Sequence, residues 1–461
     1  MVGLKDTIAA IATPLGVGGI GVIRVSGANA GAIARLIFKP SKQLVELKSH
    51  YLHHGDIISP ETNTILDEVL IAFLKGPHSF TGEDILEIHC HGGPLILQTI
   101  LAEVIKAGAR LAEPGEFTKR AFLNNRIDLS QAEAIAEMIS AQSQKGLNLA
   151  ISQLKGYLSQ KLKAISSAVM DALVILESAI DFPEEQLTLP PSEDIAQQLQ
   201  QLTDELHALL ATYEQGKLYR YGIRAVIAGK PNVGKSSLLN RLVGARRAIV
   251  SHIPGTTRDF ISETAHIKDI PVQFIDTAGI RNPKSTVERA GVELAWEKLS
   301  AADMLIIVLD GSEKLTVEDI EIIEKSRNQK SVFAINKTDL PHRLEEEKLS
   351  RLAPGVHSLH ISAKHGEGID ALKEALYTLF INSPHQYETS QVMITNMRHK
   401  MAIEKAVHLM LQAKTALLQG LSPEFAAMDL KEALNALGEV TGKTIEEDVL
   451  DKIFSTFCIG K

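Results

Sequence analysis

The chain has 461 residues, 45% of them hydrophobic and 23% charged, with a formal net charge of −8. Such a length exceeds what one core serves, so about two to four domains are expected, and the ordinary apolar balance excludes a disordered or fibrous chain. The negative charge excludes a surface coated in basic groups for nucleic acid and leaves room only for local contacts.

At the N-terminus, Thr7 to Ile23 contains no charged residue, as a secretion signal would. Pro14 and the glycines at 16, 18, 19 and 21 break the helix that such a signal needs, so none is expected. Nowhere does an apolar run reach membrane-spanning length. Two cysteines, Cys90 and Cys458, make no disulfide framework and suit a reducing, cytoplasmic setting.

Residues 1–117 read as mixed α+β. Strand-like runs such as "GIGVIRVSG" and "EVLIAFLKG" alternate with turns, and a helix follows "HGGP". "GVGGIG" contains a G-x-G-x-x-G spacing, but a strand rather than a helix follows it, which discounts dinucleotide binding. His89, Cys90 and His91 in "HCHGG" have metal-ligand chemistry. Neighbours on a strand face opposite ways, however, so a buried cysteine is the better reading.

From residue 118 the apolar spacing becomes helical through Ile180. "DFPEEQLTLPPSED" interrupts it with Pro183, Pro190 and Pro191, and a further helix runs to about Gly216. Over residues 221–382, buried-looking strands ("RAVIAG", "MLIIVLD", "SVFAIN", "HSLHIS") alternate with helices, the pattern of a parallel α/β sheet. Residues 383–461 are helical again. The two helical stretches, 118–220 and 383–461, are each amphipathic sets that need a partner, so they are expected to form one helical domain interrupted by the α/β unit.

"GKPNVGKS" (Gly229 to Ser236) is a G-x-x-x-x-G-K-S phosphate loop between a strand and a helix. Backbone N–H groups there wrap phosphates, Lys235 reaches the β- and γ-phosphates, and Ser236 ligates Mg²⁺. Asp276-Thr277-Ala278-Gly279 ends a strand where a water-mediated Mg²⁺ contact and a γ-phosphate N–H are wanted. Asn336, Lys337 and Asp339 follow another strand. The Asp339 carboxylate can accept from guanine N1–H and its exocyclic amine, whereas adenine would leave it unpaired. Ser362, Ala363 and Lys364 can offer a backbone N–H to guanine O6. Four motifs in this order describe a GTPase. The residue after Gly279 is Ile280, where many such switches place a glutamine that orients water.

"PNVGKSSLLNRL", "IPGTTRD" and "DTAGIR" resemble the translation-factor-related GTPases. The chain as a whole resembles the MnmE (TrmE) family of tRNA-modification GTPases, within the TrmE-Era-like group. The likeness runs through "FTGEDILEIHCHGGP", "PGEFTKRAFLNNRIDLSQAEAI" and "ESAIDFPEE" to the terminal "IFSTFCIGK". It implies a multidomain α/β and all-α fold: an N-terminal α+β domain (1–117) for tetrahydrofolate binding and dimerisation, and a helical domain interrupted by an inserted Ras-like P-loop α/β GTPase domain.

The resemblance further implies a nucleotide site spanning Asn232, Val233, Gly234, Lys235, Ser236 and Ser237, with a loop of Ser251, His252, Ile253, Pro254, Gly255, Thr256 and Thr257. In this family a K⁺ ion neutralises charge between the phosphates, work worth about 10³–10⁵ in rate when an arginine finger does it. Its ligands here would be Asn232, Ser251, Ile253 and Thr256, while Ser236 and Thr257 hold Mg²⁺. Glu288 matches the residue that orients water; by itself it also reads as a solvated glutamate opening a helix. Arg24, Glu87, Arg126 and Lys461 match positions that bind a 5-formyl-tetrahydrofolate-type donor, although Arg126 stands where relatives can carry lysine. Each could equally be a surface salt bridge.

The implied role is C5 modification of the tRNA wobble uridine (U34), adding an aminomethyl or carboxymethylaminomethyl group. The implied partners are tRNA, a second copy in a homodimer, and the FAD-dependent MnmG (GidA) in a heterotetramer. Cys458 is either a candidate reactive thiol or a packed small hydrophobe. Arg241, Arg246 and Arg247 read as a tRNA contact or a solvated helix face. The alternative is a regulatory or assembly GTPase of the ribosome-biogenesis (Era-like) kind, which leaves residues 1–117 and the "FCIGK" end without a purpose.

Overall fold

The computed structural model describes residues 6–42, 45–182, 190–244, 262–276, 302–327, 329–380 and 392–461; the side chains of Ser262 and Asp276 lie outside that description. The chain divides into two units. One comprises Met1–Ile139, Ala150–Leu206 and Met401–Lys461, the other Ser140–Leu149 and His207–Lys400.

In the first unit, β1 (Ile8–Ile11), β2 (Gly18–Ser26), β3 (Phe38–Pro40), β4 (Leu52–Ile58), β5 (Ile65–Leu74), β6 (Ile85–Gly92) and β7 (Arg110–Leu111) form a sheet in the order β3-β4-β5-β6-β2-β1-β7. Its pairs are antiparallel except β1 with β7. Alternation in β2 and β6 sends Ile23, Val25, Ile88 and Cys90 to one face. There α1 (Ala30–Ile37) and α2 (Pro94–Lys106) cover them with Ile33, Ile37, Leu97, Ile100 and Val104. The "GVGGIG" segment enters β2, as its strand reading required. Burial raises the Cys90 thiol to about 11, which makes it an inert core group.

The helical stretch after the sheet breaks into α3 (Glu116–Leu123), α4 (Leu129–Ser140), α5 (Gln144–Leu154) and α6 (Tyr157–Asp181). Gly156, at φ 81°, makes the left-handed turn into α6. The helix expected to end near Gly216 is two helices instead, α7 (Ser192–Leu210) and α8 (Tyr213–Tyr221). Buried Thr212 divides them: its hydroxyl donates to the Leu209 carbonyl and accepts the Ile394 N–H.

The second unit holds β8 (Ile223–Ala228), α9 (Lys235–Val243), β9 (Ser262–Ile267), β10 (Ile270–Asp276), β11 (Met304–Asp310), α10 (Val317–Lys325), β12 (Ser331–Asn336), α11 (Glu346–Leu352), β13 (His357–His360) and α12 (Ile369–Phe380). The sheet order is β13-β12-β11-β8-β10-β9. All pairs are parallel except β9 with β10, an edge hairpin that the sequence reading did not separate. Every residue of β11 and β12 is buried, as a strand covered on both faces requires.

The chain then returns to the first unit through α13 (Met397–Leu418), α14 (Pro423–Thr441) and α15 (Glu447–Ser455). α14 packs along α6, so helices from before and after the α/β unit share one helical domain, and that unit is an insertion. Phe454 and Phe457 of the terminal segment join Leu129, Ala132 and Leu450 in a core cluster.

Arg120 is the largest fully buried side chain of the first unit. It donates to Glu116 at 2.9 Å, to Glu83 at 3.2 Å, and to the carboxylate and carbonyl of Asp6 at 2.8 Å each. Burial alone would raise the Glu116 carboxyl, but bonds from Arg110, the Glu113 N–H and Arg120 outweigh it and hold the group below the usual carboxylate range. Replacing Arg120 by Ala leaves Glu116 and Asp6 to Arg110 and Glu83 to Ser26, but removes the buried guanidinium that joins all three. The expected loss is about 1–3 kcal/mol of unfolding free energy, read as a lower urea midpoint.

Candidate functional site

β8 lies inside the second sheet with all but Ile223's neighbour Arg224 buried, and it delivers the phosphate loop at the C-terminal edge, where ligands bind in such sheets. Gly229 (φ 152°) and Gly234 (φ 100°) set the loop's path. A Cβ on Gly229 would strike the Val308 carbonyl, and one on Gly234 would strike Asn336 Nδ2. Both positions therefore demand glycine. Asn232 sits between them, exposed, at φ 64°. Lys235 opens α9 and is buried, its ammonium donating to the Gly229 carbonyl at 2.9 Å and the Lys230 carbonyl at 2.8 Å. Ser236 and Ser237 follow, exposed on the first turn.

The base-side loops are locked to this one. Asn336 is 3% exposed at the end of β12; its Nδ2 donates to the Val233 carbonyl at 2.7 Å while its Oδ1 accepts the Ala363 N–H at 2.9 Å. Asn336 thus holds the two loops together, a role that the sequence did not distinguish. Lys337, at φ 68°, donates to Asp310 at 2.5 Å. Ser362 donates to the Asp339 carboxylate at 2.9 Å, and this bond is the main reason that the carboxyl stays below its ordinary range. Arg241 is exposed on α9, as a solvated helix face requires, and its guanidinium also donates to the carbonyls of Ala363 at 3.0 Å and Lys364 at 2.5 Å. It tethers the Ser362–Lys364 loop to α9. An arginine one helix away from that loop carries no local sequence signal for such a role.

Asp276 ends β10 in register with Ile227 of β8, which places its backbone beside the phosphate loop. The Asp276 side chain, Thr277, Ala278, Gly279, Ile280, Glu288, Arg246, Arg247 and the loop Ser251, His252, Ile253, Pro254, Gly255, Thr256 and Thr257 lie outside the described residues.

A second locus lies in the first unit. Arg24 on β2 stands opposite Glu87 on β6 in the strand register. Arg24 Nε and Nη2 both donate to one Glu87 oxygen, at 2.9 and 2.8 Å, and Nη1 reaches the Gly460 carbonyl at 3.4 Å. Its guanidinium also lies 5.9 Å from the centre of the Phe117 ring. Lys461 is fixed there by its carbonyl, which accepts the Phe117 N–H at 3.2 Å. Burial, then repulsion from Arg24, lowers the Lys461 ammonium below its ordinary range. Arg126 donates to the Ser79 carbonyl at 3.1 Å, in a loop whose Thr81 bonds Ser26, two residues along β2 from Arg24. Arg24, Glu87 and Lys461 therefore meet, and Arg126 holds the adjoining loop. Cys458 is exposed, which corrects its reading as a packed hydrophobe. His91 and His89 bond Asp67 and approach Glu87, away from buried Cys90.

Fold and loops together define a P-loop GTPase domain inserted in a helical one. Two family models match: "GTP-binding protein TrmE N-terminus" over residues 7–126 and "MnmE helical domain" over residues 129–458. The tRNA modification GTPase MnmE of Syntrophus aciditrophicus is 51% identical over 99% of this chain and 100% of its own length. Those of Heliobacterium modesticaldum (45%, over 99% of each chain) and Alkaliphilus oremlandii (44%, over 99% and 100%) are similar end to end. The chain belongs to the MnmE (TrmE) family of tRNA modification GTPases. Among the described residues no helix is long and apolar enough to cross a membrane.

Asp339→Asn replaces a double acceptor by one acceptor and one donor, a match for xanthine rather than guanine. GDP affinity should fall by at least about 10²-fold while XDP affinity rises, both read by calorimetry.

Proposed function

We propose that this chain is a K⁺-dependent GTP hydrolase working in C5 modification of the tRNA wobble uridine, with domains at 1–117, 118–220, 221–382 and 383–461. The observation that carries the GTP reading is the lock between phosphate and base loops made by Asn336, with Asp339 held ionised beside Ser362. A carboxylate fixed in that way accepts two donors from guanine and rejects adenine.

A potassium ion, when bound, supplies positive charge beside the phosphates. Asn232 suits it: an exposed carboxamide on the rim of the phosphate loop is a neutral oxygen donor, the ligand type that monovalent cations take. Ser251, Ile253 and Thr256 complete the set, and Ser236 with Thr257 holds Mg²⁺. Lys235 moves its donors from loop carbonyls to phosphate oxygens, and Glu288 orients the water in place of the side chain that Ile280 lacks. Turnover in K⁺ should exceed turnover in Na⁺ at equal ionic strength, and Glu288→Ala should lower it by about 10²-fold or more with GTP affinity unchanged. Equal rates in the two salts overturn the potassium reading.

At the second locus, Arg24 and Lys461 bring two cations against the single carboxylate of Glu87. That imbalance suits an anionic ligand, and a 5-formyl-tetrahydrofolate-type donor offers both glutamate carboxylates and an amino-pyrimidine edge for Glu87. Modification then engages tRNA, a homodimer, and the FAD-bearing MnmG (GidA) in a heterotetramer, with GTP hydrolysis driving conformational change rather than the carbon chemistry. Calorimetry with 5-formyl-tetrahydrofolate should show binding that Glu87→Gln weakens by about 10–100-fold. No heat from the unaltered protein would favour the Era-like assembly reading.

A further inference from the structure

We propose that His342, Glu346 and His360 form a binding site for a Zn²⁺-type divalent cation on the inserted unit. His342 Nε2 and His360 Nε2 approach the same oxygen of Glu346, at 3.1 and 3.2 Å. One ligand atom from each of the three side chains falls within 4.8 Å of the others. Ligands at about 2.0–2.1 Å around a tetrahedral ion stand roughly 3.3 Å apart, so both contacts with Glu346 already have the spacing of a coordination edge.

The donor set selects the ion class. Two imidazoles and one carboxylate suit Zn²⁺, Co²⁺ or Ni²⁺, whereas Mg²⁺ and Ca²⁺ want oxygen alone. The neighbouring Glu345 faces Lys314 and Lys348, at 3.7 and 3.9 Å, but Glu346 is met by imidazoles, which lose their protons readily to a metal. The ring centroids lie 5.6 Å apart and the ring planes are inclined at 50°. All three residues are exposed, so an ion can enter from solvent and keep water in its remaining positions.

The three ligands come from separate pieces of chain. His342 lies three residues beyond Asp339, Glu346 opens α11, and His360 ends β13 two residues before Ser362. A bound ion therefore cross-links the segments that lead out of one base-side loop and into the other.

The test uses the full-length protein with GDP and excess Mg²⁺, titrated with Co²⁺ and followed by its visible absorption. One saturating equivalent is expected, displaced by Zn²⁺. His342→Ala and His360→Ala should each weaken it by at least about tenfold, given that loss of even an outer-shell partner costs 10–100-fold. Retained GDP binding shows that the variants are folded. Cys458→Ser should leave the band unchanged. Absence of a band, its survival in the double histidine variant, or its loss in Cys458→Ser overturns the proposal.

Discussion

The nucleotide site hangs on one buried carboxamide. Asn336 donates to the Val233 carbonyl and accepts the Ala363 N–H, so a single side chain fixes the phosphate loop against the base loop. Both partners are backbone groups shielded from water, and leaving either unpaired costs about 1–3 kcal/mol. Gly234 fits this arrangement because any Cβ there would occupy the place of the Asn336 amide. Lys337 on Asp310, Ser362 on Asp339 and Arg241 on the Ala363 and Lys364 carbonyls then brace the same assembly from three sides. The distance between phosphate-binding and base-binding groups is therefore a property of the folded chain before any ligand arrives.

Much of this was legible in the sequence because it rests on local chemistry. A glycine-rich loop between a strand and a helix announces itself, and so does a β-branched run too apolar to face water, as in β11 and β12. The insertion could be argued from helices whose apolar faces lacked partners, and α6 against α14 supplies them. What stayed hidden depends on contacts between distant residues. Arg241 looks like any helical arginine until the Ala363 loop is folded over it, and Thr212 looks like a helical residue until Ile394 comes to bond it. The edge hairpin of β9 and β10 escaped because Pro271 and the short turn at Lys268–Asp269 blur two strands into one polar stretch.

The first unit follows another logic, in which register does the positioning. Once β2 pairs with β6, Arg24 must face Glu87, and the alternation that buries Ile23 and Ile88 beneath helices sends that ion pair to the opposite side. There the terminal segment lies against it, with Gly460 so close to Ile11 and Ala12 that a side chain would collide. The glycine in "CIGK" is thus explained by close backbone approach, and Lys461 is brought among the charges of Arg24 and Glu87 from the far end of the sequence.

The pairing of α6 with α14 also constrains the order of events on the ribosome. Domains fold as units while the chain emerges, at about 5–20 residues per second. When α6 leaves the exit tunnel, its partner helix has not yet been made, and the whole inserted unit must be translated first. The nascent chain therefore carries an exposed apolar helix throughout that interval, during which the α/β unit is free to fold by itself. Only the last helices close the structure, so a truncation ahead of α14 should leave a folded nucleotide-binding unit attached to an unfinished, aggregation-prone remainder.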